Sequence, residues 1–453
     1  MNLFRNPNKS QKKSLSSRAA APVMEACEDR RLFSTYTVTT VADSGTGSLR
    51  DAIKKANSSS GLDTIKFAIG SGVKTIQTKT GLPYISDKVV IDGTSQPGYA
   101  GKPIIELRGD LSGGYGLNIG AGGSTVKGLV INRYSSGILM TKGGGNTIEG
   151  NYIGLGYSGT TDWGNKDKGL IVQTGDNKIL NNVISGNGTA GVQLYLYSST
   201  NNVVQGNKIG TDATGTVAIG NGLSGVSING GTYNLIGGTT PAARNIISGN
   251  GQDGVVINTG GAKGNKIQGN FIGTDVTGTK RVANLHYGVE TSQPDTLVGG
   301  DTAAARNVIS GNGYTGVVLW LKSGSDNVVK NNYIGTDVTG TKDIGNFWNG
   351  VDISNGSSDN LVDSNLISGN DIDGVMIYQG ANNTIKNNTI GFNASRTGAL
   401  KNFRHGIRFT NTTQAYASGN TIGNNDGYGL FRTGGGTIVL SGNTLINDTI
   451  FNL

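Results

Sequence analysis

The hydrophobic residues of this chain alternate with polar ones in short runs, each beginning at a glycine. In most runs Val, Ile or Leu recurs at every second position, and Gly, Asn or Asp separates one run from the next. Alternation with a period of two predicts β-strands bounded by turns. The runs begin at Gly116, Gly137, Gly169, Gly191, Gly225, Gly254, Gly288, Gly316, Gly350, Gly374, Gly406 and Gly429.

Two further phrases recur between these runs. "NVISGN" and its variants begin at Asn182, Asn245, Asn307 and Asn365, and "IGTDATGT" or "IGTDVTGT" occurs in every second unit. A unit this short cannot bury its apolar face alone, so the units must stack into a solenoid. Strands of successive units then pair in parallel about 4.8 Å apart. Asn at the same turn of each unit predicts ladders of amides along the axis.

These repeats resemble the right-handed parallel β-helix of pectin-lyase-like proteins, from about Phe67 to the end of the chain. The resemblance implies an all-β, single-stranded right-handed parallel β-helix. It specifies the fold far more than any activity.

The segment "GSLRDAIKKAN" predicts an N-terminal amphipathic capping helix. Its apolar residues Leu49, Ala52, Ile53 and Ala56 share one helix face, and Ser48 is a suitable N-cap. A helix here would cover the open end of the solenoid. "SLRDAI" resembles the "CSLREAI" module that opens many bacterial surface β-helix proteins, with Gly47 in place of the Cys.

The first residues form a basic, Ser-rich leader. Half of the net charge of +8 lies in residues 1–31, so the remainder is nearly neutral and shows no broad footprint for nucleic acid. "EDRRLFS" resembles a leader patch of large exported bacterial proteins, which implies an extracellular or cell-surface protein. We predict a disordered export leader at 1–34, a cap with the first coils at 35–110, and the repeat domain at 111–453.

Some classes of protein are disfavoured by composition. Cys27 is the single cysteine, which excludes an internal disulfide framework and Cys-based metal sites. The sequence contains no run of 18 apolar residues, so it does not predict a transmembrane helix. We expect a monomer without a cofactor.

Function is expected on the outer face of the strands between 286 and 410. In each "G-V-x-I-x" run the x positions point outward, and this region gathers both histidines of the chain and two of its three tryptophans. Aromatic side chains among charged ones stack on sugar rings while polar neighbours read the hydroxyls. The candidate residues that bind substrate are Trp320, Trp348, Tyr378, His286, Arg404 and Arg408.

Four residues are candidates for catalysis: Glu290, Asp352, Asp373 and His405. Two rungs separate Glu290 from Asp352, about 9.6 Å at ~4.8 Å per rung, close to the roughly 6.5–9.5 Å of inverting glycosidases. Asp373 and His405 take the same position in adjacent units and would pair as acid and base. An arginine would hold the carboxylate of an acidic sugar.

Three functions are compatible with these residues. The leading hypothesis is polysaccharide binding; a polysaccharide hydrolase or lyase and an adhesive spacer are the alternatives. The same side chains would also suit an ordinary solvated sheet face. Asp212, Asp275 and Asp337 of the "IGTD" phrases recur too far apart to share an ion and are interpreted as turn caps, with calcium as the alternative.

Overall fold

A computed structural model describes residues 33–110 and 113–452. The described residues form three parallel sheets of 15, 14 and 13 strands, which confirms the parallel β-helix. Each full coil adds one strand to each sheet, in the order A, B, C, and pairs with the coils before and after it. The predicted leader, apart from residues 33 and 34, lies outside the described residues, as does Cys27.

The strands of the three sheets have the following bounds. Sheet A contains Thr35–Val38, Asp63–Phe67, Val89–Asp92, Thr125–Lys127, Thr147–Glu149, Lys178–Leu180, Val203–Gln205, Leu235–Gly237, Lys266–Gln268, Leu297–Gly299, Val328–Lys330, Leu361–Asp363, Ala381–Lys386, Gln414–Ser418 and Thr437–Ser441. Sheet B contains Lys74–Gln77, Ile105–Arg108, Leu129–Asn132, Tyr152–Ile153, Val183–Ile184, Lys208–Ile209, Ile246–Ile247, Phe271–Ile272, Val308–Ile309, Tyr333–Ile334, Leu366–Ile367, Thr389–Ile390, Thr421–Gly423 and Thr444–Ile446. Sheet C contains Tyr115–Ile119, Ser136–Met140, Leu170–Val172, Val192–Tyr195, Val226–Asn229, Val255–Thr259, Val289–Thr291, Val317–Trp320, Val351–Ser354, Val375–Tyr378, Ile407–Thr410, Leu430–Thr433 and Ile450–Asn452. Short 3₁₀ turns occupy Gly93–Ser95, Pro241–Ala243 and Ala303–Ala305.

The capping helix spans Leu49–Asn57 and buries the four apolar residues predicted for its face. The Ser48 side chain accepts a hydrogen bond from the Asp51 N–H, which satisfies one free donor of the first turn. The solenoid begins before this helix, because Thr35–Val38 pairs in parallel with Asp63–Phe67. Strand pairing thus begins before Phe67, where the repeats that resemble the β-helix family begin. A four-residue strand followed by a loop and a helix gives no repeating signal.

Five of the six residues of "NVISGN" have distinct structural roles, as the copy at 307–312 shows. Asn307 and Asn312 stand at two corners of the coil, and Ile309 between them is fully buried in the core. The Ser310 hydroxyl donates to a carbonyl of the next insertion loop at 2.7 Å and accepts from its backbone at 3.0 Å. Gly311 has a φ of +77°, a conformation that glycine adopts without strain.

Buried asparagines form ladders at all three corners, as the sequence predicted. Most of their side-chain amides donate to the Oδ1 of the Asn in the next coil, for example Asn307 to Asn332 at 2.9 Å. Stacked amides satisfy one another where water is excluded. The longest ladder runs through Asn151, Asn182, Asn207, Asn245, Asn270, Asn307, Asn332, Asn365, Asn388, Asn420 and Asn443.

The "IGTD" insertion loops are closed by their aspartates. Oδ1 of Asp337 accepts from the N–H groups of Thr341 at 2.9 Å and Lys342 at 3.1 Å, and the other two copies repeat this pattern. The predicted role as turn caps is therefore confirmed. Successive loops also bond to each other, and Val338 of one loop packs over the outer side of sheet B.

One ladder is interrupted at Thr296, which is buried between Asn265 and Asn327 and whose hydroxyl has no partner within the described residues. We expect Thr296→Asn to raise the free energy of unfolding by about 1–2 kcal/mol, because the new amide pairs with both neighbours. Chemical denaturation of the variant and of Thr296→Val measures this. A Thr296→Asn variant less stable than Thr296→Val would contradict the prediction.

Candidate functional site

The outer face of sheet C aligns the predicted residues in one row. Strand pairing places Glu290 beside Val318, Val318 beside Asp352, Asp352 beside Met376 and Met376 beside Arg408. The two-rung separation of Glu290 and Asp352 is thus as the alternating pattern predicted.

An open cleft with an empty volume of about 480 Å³ lies over this row. We call it the aromatic cleft. Three predicted binding residues, Trp320, Trp348 and Tyr378, line it together with the predicted catalytic residue Asp352. The full lining consists of Tyr287, Thr315, Val318, Trp320, Trp348, Asp352, Ser354, Asn355 and Tyr378.

Aromatic contacts order one wall of the cleft. The ring centroids of Tyr287 and Trp320 are 6.4 Å apart, and those of Tyr314 and Trp348 are 4.8 Å apart, both edge-to-face. His286 lies against Tyr314 at 5.1 Å. Such pairs stabilise the rings beyond their burial. The wall is therefore pre-formed.

Tyr287 and Tyr314 were absent from the predicted site. Backbone hydrogen bonds place His286, Tyr314 and Trp348 in one column, each two residues before its strand glycine. A comparison of this position across coils would have found Tyr314, and a comparison of the next position would have found Tyr287.

Glu290 is a carboxylic acid that keeps its proton close to neutrality. Burial, with a smaller contribution from the charge of Asp253, raises the pKa of Glu290 to about 7. Its neighbours in the row, Val256 and Val318, are buried and apolar. Burial raises the pKa of Tyr287 to about 12, and the charges of Glu290 and Asp352 contribute to this rise. The Tyr287 hydroxyl therefore lies in the electric field of both carboxyl groups.

Asp352 is the other carboxyl group of the site. It accepts hydrogen bonds from the Ser354 hydroxyl and, at 3.1 Å, from the Asn349 amide. Burial outweighs these bonds and the charge of Arg408, so the pKa of Asp352 lies above its usual range. Burial therefore favours the protonated form of Asp352 more than it would be favoured in an exposed aspartate.

Asp373 and His405 are adjacent, but their contact is not a side-chain pair. The His405 backbone N–H donates to Oδ1 of Asp373 at 3.1 Å, and Nδ1 of His405 accepts from the Tyr428 N–H at 3.0 Å. The imidazole stacks on Phe431 at 4.2 Å. Burial lowers the pKa of His405 to about 4, with help from Arg404 and Arg408, so the ring is neutral over most of the pH range.

The two arginines differ in their surroundings. Nη1 of Arg408 lies 3.7 Å from Oδ2 of Asp373, and its Nε donates to the Thr410 hydroxyl at 3.1 Å. Arg404 is exposed. Within residues 33–110 and 113–452, no group of three or more His, Cys, Asp or Glu residues is placed to hold a metal ion. The same ranges contain no helix long and apolar enough to cross a membrane.

The raised pKa of Glu290 predicts a pH-dependent cost to stability. The unfolded chain releases this proton near the ordinary pKa of 4.5 and the folded chain near 7, so the free energy of unfolding falls as pH rises between these values. We expect Glu290→Gln to stabilise the protein by about 1–2 kcal/mol at pH 8 and to have little effect at pH 4, after allowance for partial solvent exposure.

Denaturation at both pH values, with Glu149→Gln on the outer side of sheet A as the control, measures this difference. Equal effects of Glu290→Gln at the two pH values would contradict the prediction.

Comparison with known proteins places the fold in a family. Residues 104–272 and 284–450 match the family described as the right handed beta helix region. The 3-dehydroshikimate dehydratase of Acinetobacter baylyi is 31% identical over 185 residues, which cover 34% of this chain and 38% of that enzyme. The match thus spans well under half of the curated relative.

Two solved structures of polysaccharide-acting enzymes are similar in fold. The catalytic unit of an α-1,3-glucanase from Streptomyces thermodiastaticus is 13% identical, with a TM-score of 0.45 over 96% of this chain and 72% of that one. A mutant of a periplasmic alginate epimerase is 14% identical, with a TM-score of 0.44 over 85% of this chain and 77% of that one. At these TM-scores neither likeness carries an argument about this chain.

Proposed function

We propose that this chain, which belongs to the right-handed β-helix family, binds polysaccharide in the aromatic cleft, outside the cell or at its surface. One observation carries the proposal: Trp320, Trp348 and Tyr378 converge on one open cleft with a carboxyl group at its floor. Aromatic faces stack on the apolar faces of sugar rings, and hydroxyl, amide and carboxyl groups bind the sugar hydroxyls. The basic leader and the "EDRRLFS" phrase support the extracellular part of the proposal.

A second candidate function is cleavage of the bound glycan. It is favoured by Glu290, whose pKa of about 7 suits a general acid near neutral pH. In this mechanism Glu290 protonates the glycosidic oxygen as the bond breaks. Asp352, about 9.6 Å away at ~4.8 Å per rung, accepts a proton from the water that attacks the sugar carbon. Asp373 and His405 receive no role in this step, because Asp373 contacts the His405 backbone and Arg408, and His405 contacts the Tyr428 backbone and a stacked ring.

The test is retention and product release on one panel of polymers. The purified protein is run in native gels containing xylan, glucomannan, laminarin or polygalacturonate, and the same polymers are assayed for new reducing ends and for unsaturated products. Retardation by at least one polymer supports binding. New reducing ends alone support hydrolysis, and unsaturated products indicate a lyase instead. Unretarded migration with every polymer contradicts the proposal.

A retained polygalacturonate would also identify an acidic glycan. In that case exposed Arg404 is the candidate contact for a carboxylate, since Arg408 already lies beside Asp373. We expect Arg404→Gln to weaken retention of polygalacturonate and to leave retention of a neutral polymer unchanged.

A further inference from the structure

A second group of exposed aromatic side chains lies at the same edge of sheet C, several coils before the aromatic cleft. Tyr195 is 42% exposed, Tyr197 69% and Tyr233 60%. Leu196, between the first two, is 42% exposed. We call these four residues the tyrosine platform. A contiguous group of exposed apolar side chains is typical of a surface that contacts a ligand or a partner.

Glycines fix the orientation of two of these rings. A Cβ added to Gly261 would lie 3.5 Å from Cε1 of Tyr197, and one added to Gly264 would overlap the ring of Tyr233. Both rings therefore rest on bare backbone of a later coil and keep their other side in solvent. A flat ring held in this way is suited to stacking on a sugar.

Leu196 of the tyrosine platform has a strained backbone conformation. Leu196 has a φ of +77°, and Leu321, which directly follows Trp320 of the cleft, has a φ of +67°. A bulky residue in this region costs on the order of 1–2 kcal/mol. The same turn in other coils carries Asn355, Gln379 or Asn411, also at positive φ, and Asn tolerates that conformation best. An exposed Leu after an outward aromatic thus recurs at both places without benefit to folding.

A polar strip connects the platform to the cleft. Ser227 donates to Oδ1 of Asn229 at 2.6 Å, and Asn229 donates to Oδ1 of Asn258 at 2.9 Å. Strand pairing aligns Tyr195 with Asn229. Four rungs separate Tyr195 from Trp320, about 19 Å at ~4.8 Å per rung. Hydroxyl and amide groups between two aromatic surfaces match a polyhydroxylated chain that lies along the sheet.

We propose that the tyrosine platform is a second binding site for the same glycan, so that the ligand is a linear polysaccharide whose chain runs parallel to the solenoid axis across both sites. The side chains of the platform carry no charge, so this site contacts uncharged faces of the sugar rings. The proposal rests on the proposed function of the cleft. It adds that a ligand too short to span both sites binds only one of them.

The test compares chain lengths in the full-length protein. The polymer retained in native gels, and its di- to tetrasaccharides, are titrated against wild type and against the double variant Tyr195→Ala/Tyr197→Ala. We expect the double variant to lose polymer affinity about tenfold or more, since linked sites reinforce each other, while its affinity for the short oligosaccharides at the cleft is unchanged. Tyr157→Ala removes an equally exposed tyrosine from an insertion loop and is the matched control.

The outcomes separate this proposal from the function of the cleft. Equal polymer affinity in wild type and the double variant overturns the second site and leaves the cleft intact. Absence of any glycan binding by wild type overturns both. If light scattering shows a dimer that Tyr195→Ala/Tyr197→Ala dissociates, the platform binds a second copy of the chain, and the proposal is wrong.

Discussion

Replacing Asn307 by Ala should lower the free energy of unfolding by about 3–5 kcal/mol. Its Oδ1 accepts from the Asn270 backbone at 2.9 Å and side chain at 3.1 Å, and its Nδ2 donates to Ile267 O at 2.8 Å and to Asn332 at 2.9 Å. The site is fully buried, so an abandoned N–H finds no water and costs its full desolvation energy. Urea denaturation followed by circular dichroism measures the loss.

The matched control is Asn382→Gly. Asn382 is exposed and has a φ of +55°, which Gly adopts freely. We expect its effect to remain within about 0.5 kcal/mol. A loss at Asn307 no greater than that of the control would mean that the ladders contribute little to stability.

Replacing Trp320 by Ala should weaken glycan binding by about 2 kcal/mol or more, roughly thirtyfold in Kd. The indole is half-buried beside Tyr287, and its strand ends at the cleft with the ring pointing outward. Truncation removes the central stacking surface. Water then fills the space of the ring beside the neighbouring polar groups, and the glycan must displace this water to bind. Titration with the retained polymer and its short oligosaccharides measures the change.

Trp320→Phe, which keeps a smaller ring, should retain part of the affinity. Tyr157→Ala should retain all of it, since Tyr157 lies on an insertion loop. Unchanged binding by Trp320→Ala would show that the cleft is not the binding site. It would favour the alternative hypothesis of an adhesive spacer.

The fold can be predicted from the local sequence pattern because a glycine before each sheet C strand sets the register of its coil. A Cβ on Gly316 would lie 2.7 Å from the carbonyl oxygen of Gly350, and one on Gly288 would lie 2.6 Å from that of Gly316. The strand glycines are therefore required by close approach of successive coils. Once these positions align, alternation decides which side chains point outward, and the row from Glu290 to Arg408 follows from the printed sequence.

The environment of each site residue does not follow in the same way. His405 occupies an outward position in the pattern, yet it is only 6% exposed, because Tyr428 and Phe431 of the next coil cover it. Likewise the pKa of Glu290 depends on its burial beside two valines and, to a smaller extent, on the charge of Asp253. Such effects arise from side-chain packing between coils, which a single repeat does not encode.

The asparagine ladders also give the solenoid an electrical polarity. In each Asn–Asn link one N–H of the amide donates to the following coil and Oδ1 faces the preceding coil, although the second N–H often donates back to a backbone carbonyl, as Asn307 does to Ile267. The C=O dipoles of the linked amides therefore add along the axis as peptide dipoles do in an α-helix. The positive pole lies at the C-terminal end. There one ladder ends on a carboxylate, because the Asn425 amide donates to Asp448 at 2.7 Å. An anion thus caps the stack as an acidic residue caps a helix at its N-terminus, and the two ends of the solenoid differ in electrostatic potential.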